Sequence, residues 1–350
     1  MDLTGENAMT RTLRIAVATG LMTAMTLAAG CASAQNAAPS TTTTATTPEG
    51  AVLEVNTELA YKPGALTQAQ LMAPARSLFV QNSMNVFRRF PREQTEQVVK
   101  FYIEALALRS LNPIQLTSSQ QMLLTGIGSG QIKLSAGTMG NQSYDLSGGH
   151  RGGTGLRLFV LTYPDEAAVT KRFTDAGFPA PRFADNGNGT RAALVADPAG
   201  FPVQLVIKPG AKDGSNDGVG VGVGVSDLAK SRAFYREFVG LDELPPVEDR
   251  QLGTTLYPYR HKETTIYLYD VGDGTPKDTG SAGIQYVVSD APMVDAKGKA
   301  RSIPVLTPLN KLRGFELITV WLADPDGVTN YFAQVNQSVQ RPPTGAARPN

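Results

Sequence analysis

Two short motifs occur twice in this chain, in the same order and at nearly equal spacing. Phe101-Tyr102 and Phe234-Tyr235 lie 133 residues apart, and Asp197-Pro-Ala-Gly200 and Asp324-Pro-Asp-Gly327 lie 127 apart. From Phe-Tyr to Asp-Pro is 96 residues in one copy and 90 in the other. Unrelated motifs that recur in register predict a tandem duplication, so the chain must fold as two similar pieces. The copies are placed at 82–209 and 218–336, with 210–217 as the linker between them.

The clearest local signal is Val219 to Leu241. Val219, Val221, Val223 and Val225 alternate with glycine, which predicts a strand with one β-branched face and one bare face. Ser226-Asp227 is an N-cap pair, Leu228, Ser231, Phe234, Tyr235 and Phe238 follow at helical spacing, and Gly240 is a left-handed stop. Asp227 is read as a helix cap and not as a general base. Read in this way, each copy is βαβββ twice over, an α+β class. In the first copy Gly177 stops the second helix, and the stretch around each Asp-Pro is a hairpin turn. Residues 66–82 are read as a short helix or the lead-in to the first strand.

The pattern V-x-V-S-D-L-x-K-S-x-x-F-Y, followed about 90 residues on by a D-P-D-G turn between strands, resembles the vicinal oxygen chelate superfamily. Its members include glyoxalase I, the extradiol dioxygenases and the bleomycin and fosfomycin resistance proteins. The resemblance covers about 250 of the 350 residues. It implies two glyoxalase-like domains, each with a curved mixed sheet around a cleft. It also implies a divalent metal held by His, Gln or Glu on the first and last strands of the modules, where it would polarise two oxygens.

Carried over residue by residue, those positions are poor ligands. In the second copy they fall at Gly220, Tyr331 and Gly283 or Gln285. In the first they fall at Phe87 or Asn85, at Gln204 and near Arg157. The chain has two histidines, His150 and His261, both read as solvated surface residues. The expectation is therefore no cofactor. Arg89, Lys133, Arg157 and Gln204 are expected to line a first cleft, as a pocket for an anionic or carbonyl-rich molecule or else as solvated strand residues. Tyr267, Gln285 and Tyr331 are expected at a second, with the tyrosines walling a slot or filling it against the glycines.

Net charge is +1, which gives no electrostatic case for nucleic acid, and no nucleophile elbow, zincin motif or phosphate loop is present. The expected partner is a small molecule, and oligomeric state is left open. Arg11 and Arg14 ahead of the apolar run Ile15–Ala29 read as a signal peptide over 1–34. Cleavage after Ala34 is one outcome. The other is a lipoprotein signal ending at 30, with Cys31, the sole cysteine, lipidated. Residues 35–81 read as a polar linker and short lead-in, 337–350 as a disordered tail. These features predict an exported protein, periplasmic or tethered to a membrane, that binds a small organic molecule without metal. The alternatives are a lyase, isomerase or extradiol-type dioxygenase, and an envelope interaction module.

Overall fold

The computed structural model describes residues 43–46, 52–55, 57–115, 121–137, 145–274, 282–312 and 317–335. The predicted signal segment with Cys31, part of the predicted linker and the predicted tail at 337–350 lie outside the described residues. Among the described residues, no helix is long and apolar enough to cross a membrane.

Strands β1 (Thr43–Thr46) and β2 (Val52–Val55) pair antiparallel, and β2 joins the main sheet through Val55 opposite Asn310. The predicted linker and lead-in of 35–81 thus carries two short strands, where a β-branched threonine run takes extended backbone. Helix α1 (Gln68–Met72) follows, closed by a capping box between Thr67 and Gln70. Its C-terminal carbonyls are taken by Lys297 Nζ and the Arg301 guanidinium.

Four modules come next. The first is β3 (Asn85–Phe90), α2 (Thr95–Lys100), β4 (Arg109–Gln115), β5 (Gln121–Ile127) and β6 (Gly130–Ala136). The second is β7 (Gly155–Tyr163), α3 (Glu166–Asp175), β8 (Ala184–Asp185), β9 (Arg191–Ala196) and β10 (Pro202–Ile207). The third is β11 (Gly220–Val225), α4 (Leu228–Arg232), β12 (Asp242–Glu243), β13 (Val247–Asp249), β14 (Thr254–His261) and β15 (Thr264–Asp270). The fourth is β16 (Ala282–Val288), α5 (Ala291–Ala300), β17 (Val305–Leu312), β18 (Leu317–Ala323) and β19 (Thr329–Val335). Asp227 caps α4 by accepting from Lys230 N at 3.0 Å, and Gly240 ends the helical run at φ +92°. Both α2 and α4 widen into a π turn, Phe101–Ala105 and Ala233–Val239, and each turn carries the Phe-Tyr pair.

The two sheets are not the two copies. One has ten strands in the order β1-β2-β17-β18-β19-β16-β3-β6-β5-β4 and joins the first module to the fourth. The other has nine, β12-β14-β15-β11-β7-β10-β9-β8 with β13 on β14, and joins the second module to the third. Within each module the first strand runs parallel to a later one, as in β3–β6 and β11–β15. Between modules the first strands meet antiparallel, β16 on β3 and β11 on β7. The grouping of cleft residues by copy is therefore corrected. Modules two and three are joined by a short connection and pair directly. That leaves the edges of β3 and β16 to cover each other.

One continuous apolar core runs under both sheets on the helix side, from Val86 and Phe90 through Val221 and Ile266 to Tyr286 and Phe332. The opposite face of each sheet is where the resemblance puts a cleft.

Candidate functional site

Strand alternation sorts the candidates. On β3, Val86, Arg88 and Phe90 face the helices, and Asn85, Phe87 and Arg89 face the other way. Arg88 is fully buried, pairs with Asp197 and lies 4.7 Å from the ring centre of Phe201. On the face away from the helices Arg89 lies 5.6 Å from the ring centre of Phe87. Lys133 faces Phe87 in register on β6, Gly283 faces it on β16, and Gln285 faces Tyr331 on β19. Arg89, Lys133, Gln285 and Tyr331 thus share one face, two from each of the expected clefts.

The polar centre of this face is a single amide oxygen. Gln285 Oε1 accepts from Lys133 Nζ at 2.5 Å and from Asn85 Nδ2 at 3.0 Å. Asn85 Oδ1 is in turn held by Gln131 N at 3.0 Å. Around this centre stand Trp321, 4.9 Å from Tyr331 between ring centres, and Phe87, 6.4 Å from Trp321. The eight strands β3–β6 and β16–β19 contain no Asp or Glu. Lys133 is half-buried, and desolvation pushes its amine down to about 8. Trp321 was missed by motif reading, although the lone Trp of a chain placed one strand from a candidate tyrosine was a usable signal.

On the second sheet the corresponding face is filled. Leu158, Val160, Leu252, Leu256 and Tyr269 form a separate apolar cluster there. A Cβ on Gly222 would come within 2.9 Å of Leu158 Cβ and 3.1 Å of Tyr269 Cε1, so the glycines let a tyrosine ring lie on the sheet. Gln204 donates to Asp249 Oδ2 at 2.8 Å, beside Asn186 at 2.9 Å. Asp249 ends the short strand β13, and no motif announced its role. Arg157 is a latch: it donates to the carbonyls of Gly149 at 3.1 Å and Asp145 at 2.9 Å. Tyr267 lies at the end of this face, on a cleft of about 350 Å³.

The histidines are not solvated, which corrects the sequence reading. His150 is half-buried, with Nε2 3.1 Å from the Leu252 carbonyl oxygen, and His261 is 4% exposed with Phe79 edge-on at 5.0 Å. Burial lowers the pKa of both imidazoles. Both were drawn in by loop packing that residue type does not reveal.

The residues present do not fit a divalent metal. At the first sheet the best oxygen, on Gln285, already receives a cationic amine, and its neighbours are Phe87 and Gly283. At the second, Gln204 turns its amide nitrogen to a carboxylate, opposite Gly220. Among the described residues no three His, Cys, Asp or Glu side chains come together as a metal set.

No family model and no curated protein matches this chain. Solved structures do. Glyoxalase I from Zea mays aligns at TM-score 0.57 and 18% identity, over 72% of this chain and 92% of that one. A mutant of the same enzyme aligns at 0.58 and 19%, over 72% and 93%. A presumed dioxygenase from Bacillus subtilis aligns at 0.53 and 13%, over 75% and 86%. At these identities the likeness is one of fold.

Proposed function

From the vicinal oxygen chelate fold that this chain has, we propose that it binds a small organic molecule with an anionic or carbonyl group on the face of the ten-stranded sheet away from the helices, without metal. The observation that carries this is Lys133. It is a half-buried amine whose one polar partner among the described residues is the amide of Gln285, in an aromatic surround on strands that bring no acid. A carboxylate or carbonyl oxygen there would gain a charge-assisted hydrogen bond in a low-dielectric setting. Trp321 and Tyr331 offer flat apolar surface. Export is part of the proposal: it rests on the Arg11 to Ala29 segment, with Cys31 as a tether point. The mass of the mature N-terminus checks it.

A second reading has one observation in its favour. An amine lowered to about 8 is available as a base near neutral pH, so the same site could run proton-transfer chemistry.

The deciding experiment has two arms. The protein is purified without chelators, analysed for Fe, Mn, Ni, Co and Zn, and screened against organic acids and carbonyl compounds by thermal shift. The expected result is no stoichiometric metal and hits that vanish in Lys133→Met. A stoichiometric metal lost in Gln204→Ala, or hits indifferent to Lys133, would overturn the proposal. A hit recovered chemically changed would favour the second reading.

A further inference from the structure

The cleft of about 350 Å³ on the nine-stranded sheet is separate from the Lys133 face. It opens where β7 and β10 end and where β11 and β15 begin. Gly220 leaves its floor without a side chain, and the hydroxyl-bearing residues Thr162, Thr265 and Tyr267 line it. Lys208 stands on one wall and Arg260 on the other.

Two cations and two acids line this cleft, so its formal charge is zero, but the two signs differ in how they are engaged. Two acids lie at its rim, but both are engaged. Glu263 Oε2 accepts from Ser129 N at 2.9 Å and Ser129 Oγ at 2.8 Å, and Asp217 Oδ1 accepts from Gly218 N at 2.9 Å. The Lys208 ammonium has no hydrogen-bond or ion-pair partner among the described residues. Arg260 spends only Nε, on the Lys262 carbonyl at 2.6 Å.

The strand order then sets the separation of the cations. Lys208 follows β10 and Arg260 lies on β14, and the order β10-β7-β11-β15-β14 puts four strand steps between them. Four steps are roughly 19 Å along the sheet. Two long side chains reaching in from opposite walls, across a curved sheet, shorten that to the span of a small molecule. One anionic group cannot meet both cations at once.

We infer that this cleft is a binding site for a short organic dicarboxylate, with one carboxylate on Lys208, the other on Arg260 and the hydroxyls of Thr162 and Tyr267 between them. The chemistry is recognition by charge and length, with no covalent step.

The test is calorimetric titration of the intact protein with succinate, glutarate and adipate, against acetate and propionate at matched ionic strength. Lys208→Met, Arg260→Met and Lys133→Met are measured alongside. The inference expects one dicarboxylate to bind at least about tenfold tighter than any monocarboxylate. Either Lys208→Met or Arg260→Met should erase that margin, and Lys133→Met reports whatever binding occurs at the other sheet. Both cleft cations are exposed, so melting temperature should not move. Equal binding of mono- and dicarboxylates, no binding of any, or a margin that survives both cleft variants overturns the inference. A margin lost in Lys133→Met alone moves dicarboxylate binding to the other sheet and overturns it too.

Discussion

Tyr235 Oη donates to Asp324 Oδ2 at 2.9 Å, across 89 residues of chain. Tyr102 makes the same bond to Asp197 at 3.1 Å across 95. The two repeated motifs are thus the two ends of one hydrogen bond, made once in each copy. Each Asp also ties its own turn, Asp324 through Val328 N at 2.8 Å and Asp197 through Phe201 N at 2.9 Å. The copies differ in charge. Arg88 compensates Asp197, and no cation pairs with Asp324 among the described residues.

That difference makes stability depend on pH. Burial pushes the Asp324 carboxyl up to about 7. Between about pH 4 and pH 7 the folded state holds a proton that the unfolded state has lost, so this group's contribution falls as pH rises through that window. Above it the loss is complete, on the order of a few kcal/mol. Asp324→Asn should flatten the decline in urea midpoint between pH 5 and pH 8. An unchanged slope would show that the carboxyl is not the titrating group.

Asp197→Asn should behave in the opposite way. It leaves the Arg88 guanidinium buried beside Phe201 without its carboxylate, which costs about 3–5 kcal/mol. The loss should persist at pH 8, where Asp324→Asn is neutral or stabilising. Paired denaturation curves at that pH decide the matter.

Gly222→Ala should destabilise by about 1–3 kcal/mol, because the new methyl meets Leu158 and Tyr269 on a packed face. A shortening at Leu158 in the same molecule should recover part of it. A neutral Gly222→Ala would mean that this face holds open space where the apolar cluster stands.

Arg157→Met should release the 145–152 segment without touching ligand affinity at the Lys133 face. Limited proteolysis should cut there sooner, and thermal-shift hits should keep their size. A lost hit with an unchanged digestion pattern would make Arg157 a ligand contact after all.

Lys133→Met should not lower the melting temperature. It removes an amine that is costly to bury and has no acid partner on its strands. A drop of more than about 1 kcal/mol would mark the Lys133–Gln285 bond as a structural brace.

Much of this was legible in order along the chain. The alternation of valine and glycine in β11, the Asp227 cap and the Gly240 stop act within a few residues, so local chemistry settles them. The duplication was legible because Tyr235 and Asp324 must both be kept for one bond to form. Pairing between modules was not legible: periodicity says which faces are apolar and not which strand lies beside which. Hence Gln285 and Tyr331 were set apart from Lys133, although one sheet holds all three. Asp249 and Trp321 carried no motif, and the histidines gave no sign of burial, because loop packing drew them in. What the sequence alone determined was the set of modules and the residue type at each strand position, both matters of local composition and spacing. Which side chains share a face was decided by tertiary structure, because strand order is a global choice that covers four edges at once.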